Sequence, residues 1–410
     1  MNIRRLLRTF RGMPVARAAR DYLLWLDGLV LHWPDRRGPI VPKTVVFESY
    51  AGRSYSCSPR AIYEYMVSNP EFSDWKFVWC LIHPSSAPAE LVEDPQTRIV
   101  GYGTDEYFRV YGTAQYWITN AMLPATVRKR QGQKMLQCWH GTSLKRLRAD
   151  VLGTNTAING ARDYRRKNRL DVPRFDAFTF QSEFGERTLS GAFELERLGK
   201  HVKHLRYGLP RNTRLFEYNE GEIQRIREIL GIPVGKKVIL YAPTWRDDSL
   251  DSANGYVFKE PVDYHQLAQG FGQDAVMLFR AHYMITERPD FDEFAGQIID
   301  ASNVADINDL YAVADVLITD YSSVFFDYAA LKRPVVFFMK DLVNYRDHLR
   351  GFYMDLDDLP GPVVLEEAGL IQEVNSALSA SKDVELPTGE FESWDSPDTT
   401  KQVVRAFIGG

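Results

Sequence analysis

The sequence predicts an α/β protein built from two doubly wound, Rossmann-like domains that face each other across a cleft. Short apolar, β-branched runs alternate with helical patterns over residues 44–207 and again over 238–338, the pattern of parallel sheets with flanking helices. Between the two sets lie the loop signals Gly208-Leu209-Pro210-Arg211-Asn212 and Gly231-Ile232-Pro233, on either side of a polar amphipathic helix over 219–230. A chain of 410 residues also suits two cores better than one.

Taken in order, residues 1–20 carry six arginines and no acid, with Ile3, Leu6, Leu7, Phe10 and Met13 at helical spacing. The apolar stretch that follows is interrupted by Asp27 and is too short to span a bilayer. This predicts a basic amphipathic, membrane-associating segment over 1–37, lying on an anionic surface. A solvated helix packed on its own domain is the competing reading. Residues 38–213 then form the first domain, with strands expected over 44–48, 77–82, 116–119, 135–140, 177–181 and 202–207. Residues 214–410 form the second, with strands over 238–242, 276–279, 297–300, 316–319 and 335–338. A Ser-, Asp- and Pro-rich tail after residue 380 ends in a short amphipathic piece over 401–408.

The composition is that of an ordinary globular chain, 45% hydrophobic and 25% charged. A net charge of −4 argues against a general nucleic-acid binder. Cys57, Cys80 and Cys138 are scattered, so neither a disulfide framework nor a zinc site is indicated, and a reducing cytoplasmic setting fits. Two glycine-rich stretches mimic nucleotide motifs: 270–275 resembles a dinucleotide fingerprint and 231–236 a P-loop. Both precede a strand, so neither can open a phosphate-binding helix.

Polar residues gather where predicted strands end, which is where open parallel sheets bind ligands. Four such ends stand out. Residues 137–145 read QCWHGTSLK, with His140 beside Gly141 and with Thr142 and Lys145 close by. An imidazole there suits general-base work on a hydroxyl, although a lone histidine is more often structural. Residues 241–248 read YAPTWRDD, where Arg246 either forks a phosphate or pairs with Asp247 or Asp248. In FRAHY, residues 279–283, Arg280 and His282 stand two apart on an extended segment and so point the same way. The DYSS turn, Asp320 to Ser323, leads a buried strand into a helix, where Ser322 and Ser323 act as a cap or as a phosphate site. Arg246, Arg280, His282 and the helix start of the DYSS turn, gathered on one sheet edge, suit a pyrophosphate. No DxD box accompanies them, so cations and backbone amides would neutralise the leaving phosphate without a metal.

CWHGTSLK, YGLPRN, YAPTWRDD, FRAHY and the block over 306–338 occur in the order found in the CDP-glycerol glycerophosphotransferases of teichoic-acid synthesis, which the chain resembles over residues 40–370. The resemblance implies a GT-B fold and an enzyme needing no metal or cofactor. It implies transfer of glycerol phosphate or ribitol phosphate from CDP-glycerol or CDP-ribitol to a polyprenol-linked acceptor, with release of CMP. It also implies a peripheral location on the cytoplasmic face of the plasma membrane and no nucleic-acid partner. By position, His140 is the expected base, with Thr142 and Lys145 on the acceptor side. His282 is expected in catalysis and, with Arg280, at the donor pyrophosphate. Asp320, Ser322 and Ser323 share that neighbourhood, and Thr244 and Arg246 join it. Asp327 is expected at the ribose, helix-start packing being an equal account. The alternative on the same fold is a glycosyltransferase that uses a nucleotide sugar for a cell-surface polysaccharide. A non-catalytic membrane-bound assembly factor is the reading from another class.

Overall fold

The computed structural model describes residues 22, 38–151, 160–244, 250–251, 255–257, 262–281, 285–287, 289–294, 296–344, 351–380 and 389–409. The expected membrane-associating segment over 1–37, residue 22 apart, lies outside them, as do Arg246 and His282.

The first domain holds β1 (Val41–Glu48), β2 (Lys76–Leu81), β3 (Thr97–Gly101), β4 (Ala114–Thr119), β5 (Lys134–Gln137), β6 (Ala177–Thr179) and β7 (Lys203–Leu205). They form one parallel sheet in the order β3-β2-β1-β4-β5-β6-β7. The second half holds β8 (Lys237–Ala242), β9 (Leu250–Asp251), β10 (Gly255–Val257), β11 (Ala275–Phe279), β12 (Ile285–Glu287), β13 (Ile298–Asp300), β14 (Val316–Thr319), β15 (Val335–Phe338) and β16 (Val363–Val364). Six of these make a second parallel sheet, β13-β11-β8-β14-β15-β16, while β9, β10 and β12 form a small separate one. Both expected parallel-sheet domains are therefore present.

Helices cover both faces of each large sheet, so the central strands are apolar on both sides. In β1, Val45 and Phe47 enter one core cluster and Val46 the opposite one. β3 was not expected from the sequence. It lies at the sheet edge, and of its side chains only Val100 is buried, so it lacks the apolar run that marks a central strand.

Four helices matter below: α1 (Cys57–Ser68), α2 (Glu183–Phe193), α3 (Val324–Tyr328) and α4 (Thr399–Ile408). The last corrects the domain division, because the sequence assigns all of 214–410 to the second domain. Val403, Val404 and Phe407 of α4 are instead buried with Val45, Leu136 and Leu205 in the first domain. The Phe407 ring meets Tyr116 of β4 edge-on at 5.8 Å, and Lys203 Nζ donates to the Ala406 carbonyl at 3.0 Å. Amphipathic spacing announces an apolar face but does not say which sheet will cover it. Among the described residues, no helix is long and apolar enough to cross a membrane.

Candidate active site

The strands of the first sheet end level with one another: Glu48 pairs with Thr119, Thr119 with Gln137, and Gln137 with Phe178. The loops beyond them therefore bring Tyr50, Asn120, His140 and Gln181 to one edge. The strand expected over 135–140 stops at Gln137, since Trp139 turns left-handed at φ 49° and Gly141 takes φ 134°. This leaves His140 exposed at the edge where Gly141 faces the second domain. Its Nδ1 lies 3.0 Å from the Asn120 carbonyl oxygen. A carbonyl can only accept, so Nδ1 carries the proton and Nε2 keeps its lone pair.

His140 is exposed as a residue, yet the protein packed around it removes much of the water that would solvate a charged ring. That surrounding protein disfavours the imidazolium, and the charges of Arg211 and Lys145 add to this. Together they outweigh the Asn120 hydrogen bond and lower the pKa from 6.5 to about 4. The ring is neutral at physiological pH. Asn120 also braces the neighbouring turn, its Oδ1 accepting from Tyr50 N at 2.8 Å. Tyr50, Ala51 and Gly52 all take left-handed φ angles of 49°, 58° and 78°, a costly conformation for the first two. Thr142, expected on the acceptor side, is buried and donates to Gln181 Oε1 at 2.8 Å. Lys145 is half-buried and forms a backbone bridge to Phe352 of the second domain.

In the second sheet, β11, β8 and β14 likewise end together, Phe279 beside Tyr241 and Ala242 beside Thr319. Arg280 follows β11, and its Nη1 donates to the carbonyls of Ala301 and Ser302 at 3.0 and 3.1 Å and to that of Val304. Asp320 is buried. One of its oxygens accepts from Thr244 N at 2.9 Å, Thr244 Oγ1 at 2.6 Å and Tyr321 N at 2.6 Å. Asp320 and Thr244 thus tie two strand ends together. Ser322 and Ser323 are half-buried at the start of α3. Ser322 Oγ reaches Val324 N only at 3.5 Å, and the Ser323 side chain makes no cap bond. The helix expected over 324–331 is α3 followed by a 3-10 turn over Ala329–Leu331, ended by Lys332 at φ 54°.

The two edges touch. A Cβ built on Gly141 would lie 3.0 Å from Arg211 Nη2 and 3.2 Å from Ser323 Oγ, and a φ of 134° strains any residue but glycine, so the HGT and DYSS turns meet closely at this position. Asp327, expected at the ribose, is 2% exposed and turned into this junction. Its Oδ2 accepts from Arg211 Nη2 at 2.5 Å, and its Oδ1 from Asn212 Nδ2 at 2.9 Å and Gln181 Nε2 at 3.1 Å. The same two amides each donate to Asp395 Oδ2 at 2.8 Å, on the segment leading back to α4. In this arrangement Asp327 serves the domain junction and presents no open oxygen to a ribose. Arg211, Gln181 and Asn120 received no role from the sequence. Arg211 stands in plain view in YGLPRN and Asn120 directly follows an expected strand, whereas Gln181 falls inside the strand expected over 177–181, which ends at Thr179.

The sequence model of one family, described as CDP-Glycerol:Poly(glycerophosphate) glycerophosphotransferase, matches residues 34–407. The chain belongs to this family. It is 39% identical over 358 residues, 87% of its length, to the teichoic acid poly(glycerol phosphate) polymerase of Bacillus subtilis (strain 168), but spans only 46% of that protein, about half. The polymerase of the same name from Bacillus spizizenii is 32% identical, over 90% of this chain and 92% of that one. A solved structure of the wall teichoic acid polymerase TagF matches with a TM-score of 0.81 at 31% identity, covering 96% of this chain and 98% of that one. The family membership and this match agree with the two-domain, GT-B-like arrangement of the sheets.

Proposed function

We propose that this glycerophosphotransferase-family chain moves glycerol phosphate, or ribitol phosphate, from a CDP-alditol to a polyprenol-linked acceptor in the synthesis of teichoic acid or a related surface polymer. It would act as a peripheral protein on the cytoplasmic, anionic face of the plasma membrane. The acceptor hydroxyl attacks the β-phosphorus as His140 Nε2 takes its proton. A new P–O bond forms to the acceptor, the P–O bond of the bridging oxygen breaks, and CMP leaves with the electron pair.

The observation that carries this reading is the state of His140. It is neutral, held through Nδ1 by Asn120, and stands beside a glycine in contact with the DYSS turn. Opposite it, Arg280 and the amides at the start of α3 offer positive charge to the departing phosphate, and Arg246 and His282 complete the proposed donor set. Asp320 and Thr244 hold that edge in place through the hydrogen bonds between them.

The test is CMP release from CDP-glycerol and from CDP-ribitol with a polyprenol-linked acceptor, for the wild type and for His140→Ala. Loss of about two to four orders of magnitude in turnover in a folded variant supports the base. Near-wild-type turnover refutes it. Thermal stabilisation by UDP-sugars but not by CDP-alditols would refute the donor class.

A further inference from the structure

We propose that Arg211 is a positioning residue for the transfer reaction: paired with Asp327, it sets the turn that carries His140 against the DYSS turn of the donor domain. This rests on the assignment of His140 as base.

Arg211 lies beyond β7 in the first domain, 116 residues from its partner, and the pair is buried, at 8% and 2% exposure. Its planar fork is used on several sides at once. Nη2 donates to Asp327 Oδ2 at 2.5 Å and also forms the wall against Gly141, while Nη1 reaches Cys57 Sγ at 3.4 Å. The backbone of Arg211 is itself held from both domains. Its N–H reaches Ser58 Oγ of α1 at 3.4 Å, and its carbonyl accepts from Asn308 Nδ2 at 2.6 Å.

A surface ion pair would leave such a junction slack. A buried one does not, because parting the two charges strands each in a place that water cannot reach. The reacting groups sit on turns of different domains, so their separation is only as well defined as the joint between them. A displacement of about 1 Å at such a site costs about a hundredfold in rate. Lysine would keep the charge but not the fork, and one ammonium cannot both meet Asp327 and fill the wall at Gly141.

The experiment uses the full chain and the variants Arg211→Lys, Arg211→Ala, Asp327→Asn and Arg211→Lys/Asp327→Asn. It measures kcat, KM and calorimetric Kd for CDP-glycerol, the pH profile of kcat/KM, and thermal melting. Each single variant should lose about a hundredfold in kcat with little change in Kd. The double variant should be no worse than the poorer single, as expected of a pair acting as one unit. Of the groups facing the His140 ring, Arg211→Ala removes one cation and leaves Lys145 and Tyr50, so the acid limb should move upward. Should Arg211→Ala fail to fold, Arg211→Lys carries the test.

Unchanged kcat with lowered melting would make the pair merely structural and overturn the proposal. Kd lost in step with kcat would make Arg211 a donor ligand and also overturn it, as would single effects that multiply. Failure of the base reading looks different: His140→Ala would then keep its turnover whatever Arg211 does.

Discussion

Replacing Glu48 by glutamine should remove a pH-dependent weakness from the first domain. Glu48 ends β1, is fully buried, and accepts a hydrogen bond from the Tyr111 hydroxyl at 3.0 Å. Burial pushes its carboxyl up from 4.5 to about 7, against the opposing pull of Tyr107, Tyr111 and Arg174. Between those values the folded chain keeps a proton that the unfolded chain has released, so stability falls as pH rises. The stabilisation is complete below 4.5 and is lost as pH rises through 7. From pH 5 to pH 8 this amounts to about 2–3 kcal/mol. Glutamine keeps an acceptor for Tyr111 and cannot ionise, so Glu48→Gln should lose that much less over the same range. Urea denaturation followed by tryptophan fluorescence reads the relevant domain, because Trp75, Trp79 and Trp117 are all buried in it. With a slope of about 2 kcal/mol per molar, the variant's midpoint should fall about 1 M less than the wild type's. Equal pH dependence in the two proteins would refute the reasoning and would mean that Glu48 is ionised in the fold at neutral pH.

The packing of α4 and the state of His140 each have a measurable consequence. Phe407→Ala should cost about 3–5 kcal/mol, and the loss should appear in the tryptophan-reported transition of the first domain although residue 407 lies near the chain's end. For the proposed base, protonation removes the lone pair, so activity is lost as pH falls through the folded pKa. The profile of kcat/KM should stay flat through 6.5 and decline only toward about 4, and an inflection near 6.5 would place the base elsewhere.

Both sheets were legible because buried parallel strands are continuous β-branched and aromatic runs, as in Val335–Phe338. The edge strand β3 was not, since burial on one side alone asks little of a sequence. The strand-end motifs were legible for a related reason: a polar residue directly after an apolar run has left the core and must face something. What the chain order hides is which of these residues meet. Asp327 follows Ser323 by one helical turn, and nothing local says whether that turn faces a cleft or a neighbouring domain. Its partner Arg211 is 116 residues away. The destination of α4 is hidden for the same reason, because its apolar face would have suited either core.

The return of α4 to the first core bears on how such a gene can recombine. A single exchange near residue 214 would give a chimera whose first domain is completed by the other parent's last helix, with Val403, Val404 and Phe407 set against a sheet they did not evolve with. Gly208, where an added Cβ would lie 2.5 Å from the Asp395 carboxylate, would meet a foreign residue at 395. Two exchanges, one on each side of the second sheet, would instead move that domain whole. The heritable module is therefore an internal cassette, and exchanges of the second domain between relatives should leave both flanks of the gene with one ancestry.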